Sequence, residues 1–138
     1  AYNVTPQDQW DLDEVGRKLD YLDKNHFVYR LMIRQPDFMT DELFQAAVEN
    51  VKTKKKHFAV ETARLESISE GLCLQMMHHG SFDDEPETFS IMERYCQENG
   101  LTRIEKSHKE IYITDPRRTS PEKLKTVIRF KVSEQKSN

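Results

Sequence analysis

The chain contains little of several residue types that mark particular classes of protein. Its 138 residues include two cysteines and no run approaching the roughly 20 apolar residues of a membrane span. Cys73 and Cys96 lie far apart and form no Cys-x-x-Cys motif, which favours free thiols in a reducing cytoplasm. The 21 basic and 24 acidic residues are mixed along the chain, so no basic face indicates nucleic-acid binding. We expect a soluble, cytoplasmic, one-domain protein whose partners include neither nucleic acid nor membrane.

Apolar periodicity predicts both strands and helices. Strands are predicted at 27–34, 60–67, 72–79, 108–114 and 126–132. One helix is expected from Thr40 or Asp41 to about Lys56, and a second from Asp83 or Asp84 to Asn99-Gly100. Gly71 favours a hairpin between the strands that flank it. The pattern predicts an α+β fold, an antiparallel sheet with helices on one face and a ligand cleft on the other.

Glu110, in the middle of the strand predicted at 108–114, is the best clue to function. Strand alternation places Glu110 and Tyr112 on one face, and leaves the opposite face, with Ile111 and Ile113, for a helix to cover. In a partly apolar cleft, desolvation would raise the pKa of Glu110 and favour a role as a base or cation ligand. The alternative is a solvated sheet face, on which Glu110 pairs with a lysine on a neighbouring strand.

Several segments together resemble the GyrI-like small-molecule-binding domains, in particular their stand-alone bacterial subgroup. The resemblance lies in WDL at 10–12, YRLMIRQPDF at 29–38, EGLCLQMMHHGSF at 70–82, EIY at 110–112, DP at 115–116 and KTVIR at 125–129. It implies two strand-helix-strand-strand modules related by an approximate two-fold axis, with a ligand cleft between them. The first module here is incomplete, since the strand and helix expected upstream are missing. We therefore expect one N-terminally truncated domain over 1–138, ending in a polar tail at 133–138.

The resemblance also implies a function. Glu110 would be the cleft glutamate that faces cationic, aromatic ligands, with Tyr112 and Trp10 as aromatic companions. As a hydrolase of cyclopropane-bearing alkylating toxins, a detoxification role, the protein would use Glu110 to activate water and Tyr112 to steady the developing oxyanion. The alternative is a drug-sequestering or ligand-sensing module without turnover, and a weaker one is a gyrase-interacting protein.

Further side chains are predicted to contact the ligand, and each has a structural alternative. The predicted ligand-binding residues are Trp10, Met32, Gln75, Met76, His78 and Phe82. The tryptophan and methionines would otherwise fill the core, and Phe82 would staple the start of a helix. Because His78 and His79 are strand neighbours that point to opposite faces, they do not share a metal ion. We predict no metal and no cofactor.

Overall fold

The computed structural model describes residues 12–19, 23–54 and 60–135. The chain divides into two compact units, one formed by residues 30–69 and the other by residues up to Tyr29 together with those from Glu70 onward. The described residues contain two α-helices and a four-stranded antiparallel sheet, which confirms the predicted α+β class. Within these residues, neither α-helix combines the length and the apolar character that crossing a bilayer requires.

A single long strand organises the sheet of the larger unit. The strands are β1 (Cys73–His79), β2 (Leu101–Arg103), β3 (Lys109–Tyr112) and β4 (Lys125–Glu134). β4 pairs with β1 along one edge, and with both β3 and β2 along the other. The predicted strands at 72–79 and 126–132 are confirmed within a few residues. β2 was not predicted, because three residues are too few to show a period.

Helix α2 (Glu85–Glu98) covers one face of this sheet. Its buried stripe and the inward side chains of β4 form the core, which comprises Phe89, Met92, Cys96, Ile128, Phe130 and Val132. Phe89 is fully buried, and removing such a side chain from water stabilises a fold by about 2 to 3 kcal/mol. The helix therefore fixes which face of every strand points inward.

The pairing of β3 with β4 places Glu110 on the face that α2 covers. Glu110 lies opposite Ile128 and Tyr112 lies opposite Thr126, and residues directly opposite in an antiparallel pair share a face. Ile128 and Thr126 are both buried. The prediction that a helix covers the isoleucine face of this strand is therefore wrong. The orientation of β3 follows from β4, whose inward side chains contact α2.

The unit formed by residues 30–69 contains helix α1 (Asp41–Lys54), close to its predicted bounds, and a short 3-10 turn at Val60–Thr62. The strands predicted at 27–34 and 60–67 are wrong: the only strand-type pairing in the described residues of these two segments is an isolated bridge from Phe27 to Leu12. The predicted hairpin is wrong too, because β1 pairs with β4. A β-prone segment becomes a strand only when another strand offers hydrogen bonds, and sequence pattern does not report that partner.

Helix starts follow the predicted signals in one case and not in the other. The Thr40 hydroxyl accepts a hydrogen bond from the Leu43 N–H at 3.3 Å, as a capping residue does. Asp84 occupies the capping position of α2, but its side chain makes no capping hydrogen bond. The Ser81 hydroxyl instead accepts from the Asp83 N–H and starts the short turn that leads into α2. This turn carries Phe82 towards β3.

Candidate functional site

Glu110 is held by two side chains of its own strand region. The Tyr112 hydroxyl donates to Oε2 of Glu110 at 3.1 Å, and Nε2 of His108 lies 3.2 Å from Oε1. The His108 ring in turn packs edge-on against Phe89, with 4.8 Å between ring centroids. The alternation of β3 thus brings His108, Glu110 and Tyr112 together, as predicted, and both carboxylate oxygens of Glu110 are engaged. A carboxylate fixed in this way is oriented rather than free to rotate.

An aromatic pair stands beside this carboxylate. The rings of Phe82 and Tyr112 lie 5.7 Å apart in a tilted arrangement. Partial burial, then the negative charge of Glu110, raises the pKa of the Tyr112 hydroxyl to about 12. At neutral pH Tyr112 is therefore a protonated donor. Aromatic faces next to a carboxylate are a type of surface that planar or cationic molecules contact in proteins.

A second carboxyl group, Glu85, lies at the start of α2 and is almost completely buried, with 2% of its surface exposed. Its Oε1 atom has no hydrogen-bond partner among the described residues. The pKa of Glu85 is raised to about 8, mainly by burial and to a smaller extent by the negative charge of Glu110. Glu85 is consequently protonated at neutral pH.

One ion pair lies near Glu85. Lys24 Nζ contacts a carboxylate oxygen of Asp83 at 2.6 Å, which holds the pKa of Asp83 below its ordinary value. The Lys24 charge also lowers the pKa of Glu85, while the Asp83 charge raises it. Because Lys24 is already paired and both side chains are mostly exposed, this pair leaves Glu85 in its neutral form.

His78 has a structural role, so its predicted contact with a ligand is corrected. The side chain is buried, with Nδ1 2.8 Å from the Thr88 hydroxyl and Nε2 2.8 Å from the Ser81 carbonyl oxygen. Both ring nitrogens are thereby used in joining β1 to α2 and to the turn before it. A buried histidine satisfied at both nitrogens has no hydrogen-bonding capacity left for a ligand.

Gln75 lies on the sheet face opposite to Glu110, and its ligand-binding role stays a prediction. Its side-chain oxygen accepts from Nε of Arg129 at 2.9 Å. Arg129 and Lys109 also pair with the carboxylate of Glu70, at 2.7 and 2.8 Å. This face therefore carries an ionic network, and the cluster around Glu110 lies on the other face, where α2 begins.

The remaining predicted ligand contacts fall in three different places. Phe82 joins the cluster through Tyr112. Met76 lies opposite Ile128, half-buried against the core. Met32 belongs to the unit of residues 30–69 and is 47% exposed. Trp10 lies outside the described residues. The ligand-binding roles of Phe82, Met76, Met32 and Trp10 stay predictions.

Other reactive side chains give no second site. Cys73 and Cys96 are both free, which confirms the predicted thiols, and burial raises the pKa of the Cys96 thiol and makes it less reactive. The parts of the chain that the structure describes contain no group of three side chains suited to hold a metal ion. The cluster of Glu85, Glu110 and Tyr112 is therefore the candidate site.

Glu85 is the residue that sequence reasoning missed. An acidic residue in the first turn of a helix is common, because it complements the helix dipole. Glu85 lies in an acidic run that continues past Pro86 to Glu87. The sequence does not show which of these carboxylates points inward. Burial of Glu85 is decided by the docking of α2 on β4.

Comparisons with known proteins agree with the geometry. Residues 24–133 match the GyrI-like small molecule binding domain. A crystal structure of an uncharacterized conserved protein from Listeria innocua is 40% identical, with a TM-score of 0.68, over 72% of this chain and 50% of that chain. A crystal structure of a hydrolase from Listeria innocua is 38% identical, with a TM-score of 0.67, over 72% of this chain and 52% of that chain.

The similarity to known proteins is confined to part of their length. No curated protein matches the sequence significantly. The chain spans about half the length of the solved structures it matches. The match at 24–133 nevertheless covers most of the 138 residues, including both helices and almost all of the sheet. The chain therefore belongs to the GyrI-like small-molecule-binding domain family.

Proposed function

We propose that the protein binds planar, aromatic or cationic small molecules at Glu110 and hydrolyses reactive cyclopropane-bearing compounds, a detoxification role in the bacterial cytoplasm. The observation that carries the proposal is the oriented carboxylate of Glu110, with its two protein hydrogen bonds and the rings of Tyr112 and Phe82 beside it. A relative 38% identical over most of this chain bears the description hydrolase, which supports a reaction rather than binding alone. Two free cysteines support the location.

The geometry supports Glu110 as the base. A water molecule attacking the cyclopropane carbon would give a proton to Glu110 as the carbon–oxygen bond forms. The strained carbon–carbon bond would break, and its electron pair would move onto a conjugated carbonyl oxygen of the substrate. Because the Tyr112 hydroxyl has one proton and donates it to Glu110, we assign Tyr112 to orienting that carboxylate. The oxyanion role of Tyr112 that the sequence predicts stays a prediction.

Sequestration without turnover is the second candidate function. It is favoured by the same cluster, since a carboxylate beside an aromatic ring binds a cation whether or not a reaction follows. The two functions differ in what Glu110 contributes. In an enzyme, the Glu110→Gln variant loses rate beyond any loss of affinity, whereas in a binding module only affinity falls.

Mass spectrometry of a spirocyclopropyl cyclohexadienone incubated with the protein tests this proposal. We expect the substrate to gain one water molecule with the wild-type protein. Glu110→Gln should lower that rate by about 100-fold or more, as expected for loss of a general base. Glu87→Gln, in the exposed part of the first turn of α2, is the matched control and should keep the wild-type rate. Binding without water addition in the wild type would overturn the enzyme assignment and leave the sequestering module.

A further inference from the structure

A cationic side chain lies between the core and the connection from β2 to β3. Arg103, the last residue of β2, is opposite buried Val132 and therefore points to the face that α2 covers. Its side chain is 14% exposed. Its guanidinium carbon lies 4.6 Å from the ring centroid of Phe130 and 5.5 Å from that of Phe89, within the range of cation–π contacts. Arg103 thus places a charge against the aromatic core, at the start of the connection.

The same guanidinium binds the backbone of that connection, residues 104–108. Nε donates to the carbonyl oxygen of Glu105 at 2.9 Å, and a terminal nitrogen donates to the carbonyl oxygen of Lys106. The other terminal nitrogen lies 3.5 Å from a carboxylate oxygen of Glu93 on α2. The side chains at 104–107 are exposed, so the core does not hold the connection by burying them. One guanidinium therefore joins the connection, α2 and the aromatic core.

Stability alone gives little reason for an arginine at this position. A buried ion pair is weak evidence for stability, because desolvation of the two charges offsets much of their attraction, and apolar side chains of similar volume often stabilise a fold as well. An apolar side chain cannot bind carbonyl groups, whereas the planar fork of a guanidinium binds two of them at once. The backbone position of Glu105 and Lys106 is therefore what Arg103 determines.

The connection ends at His108, which contacts the candidate site. Nε2 of His108 lies 3.2 Å from Oε1 of Glu110, and because a carboxylate oxygen only accepts, that nitrogen carries the proton. The His108 ring also packs edge-on against Phe89, the ring over which the Arg103 guanidinium lies. The backbone of the connection and the ring of Phe89 thus both link Arg103 to the residue that orients Glu110.

We propose that Arg103 is a positioning residue of the Glu110 site: its guanidinium fixes the connection in the conformation that points Nε2 of His108 at Glu110. The inference rests on the proposed function, because it takes Glu110 as the group that activates water. A general base works only within hydrogen-bond reach of the proton it accepts, and small displacements lower the rate steeply. Loss of Arg103 therefore acts on the rate of the reaction more than on substrate binding.

The first test follows His108 and needs no ligand. Nitrogen-15 NMR of the imidazole side chains, with His108→Gln to identify the resonances, should show a hydrogen-bonded proton on Nε2 in the wild type and a mixture of tautomers in Arg103→Met. Lys131→Met is the matched control, because it removes only the exposed ion pair of Lys131 with Glu105, at 3.2 Å, and should leave the His108 signals unchanged. A wild-type Nε2 without a proton, or His108 signals that do not change in Arg103→Met, would overturn the proposal.

The second test separates rate from binding. Arg103→Met keeps an unbranched apolar stem but loses the donors, whereas Arg103→Lys keeps the charge but loses the planar fork. With the spirocyclopropyl cyclohexadienone as substrate, we expect kcat to fall by about 10- to 100-fold in Arg103→Met and by less in Arg103→Lys, with little change in KM. Lys131→Met should keep the wild-type rate. An unchanged kcat in both arginine variants, or a rise in KM alone, would refute the positioning role.

The two tests distinguish failure of this inference from failure of the proposed function. If the wild-type protein does not hydrolyse the compound, the proposed function fails, and the NMR comparison still decides whether Arg103 orients His108. If circular dichroism shows that Arg103→Met does not fold, Arg103→Lys decides both tests, because a lysine cannot bind the two carbonyl groups with one planar fork and should also alter the His108 signals.

Discussion

Replacing Glu85 by glutamine should change how the stability of the protein depends on pH. In the folded protein the pKa of Glu85 is raised from its ordinary 4.5 to about 8, mainly by burial. Below pH 4.5 the carboxyl is protonated in both the folded and the unfolded chain, so its contribution to stability is fully present. Between those two values the folded chain holds a proton that the unfolded chain has lost, and stability falls as the pH rises.

The magnitude follows from the interval between the two pKa values. Each pH unit corresponds to about 1.4 kcal/mol, so the free energy of unfolding should fall by on the order of 3 kcal/mol between about pH 5.5 and 8 because of Glu85 alone. The Glu85→Gln variant has no proton to lose at this position. Its stability relative to the wild type should therefore rise by a similar amount over the same range.

Urea unfolding at a series of pH values measures this difference. The comparison is between wild type, Glu85→Gln and the control Glu87→Gln, whose side chain is exposed on the same helical turn. Groups that titrate equally in all three proteins cancel in the difference curves. Parallel stability curves for wild type and Glu85→Gln would refute the reasoning, because they would mean that Glu85 titrates alike in the folded and unfolded chains.

Two further predictions concern packing around the site. Phe89→Ala should lower the free energy of unfolding by about 3 to 5 kcal/mol, because loss of the fully buried ring leaves a cavity. Ile91→Ala, at a 42% exposed position of α2, should lower it by less than about 1 kcal/mol. Chemical denaturation measures both losses, and equal losses would contradict the core assignment. Thr88→Val should cost about 1 to 3 kcal/mol by leaving Nδ1 of buried His78 without its partner; unchanged thermal stability would show that this hydrogen bond is dispensable.

The parts of the fold that sequence predicted are those whose pattern is long. β4 alternates over ten residues and α2 carries its apolar stripe through four turns, so both were located within a few residues. The strands expected at 27–34 and 60–67 have the composition of strands but gain no partner within the described residues, and composition alone does not reveal that.

The candidate site was half predictable. The shared face of Glu110 and Tyr112 follows from the period of a strand, and the structure joins them by a hydrogen bond. Whether that shared face points towards α2 or away from it could not be predicted from β3. A strand of four residues with an apolar side chain on one face is compatible with either orientation. The burial of Glu85 depends on how α2 docks on β4. Glu85 and the β4 residues of this core are about 40 residues apart in sequence, so their contact is long-range and a local sequence pattern does not reveal it.

The central position of β4 has a consequence for the order in which the protein becomes structured during synthesis. β1, β2 and β3 each hydrogen-bond to β4, and β4 follows all of them along the chain. While a ribosome is still producing residues before Lys125, β1, β2 and β3 lack the strand that each of them pairs with among the described residues, and α2 has no apolar surface from β4 to cover. We therefore expect this sheet to assemble only after β4 emerges, with β1 and the apolar stripe of α2 left exposed on the nascent chain until then.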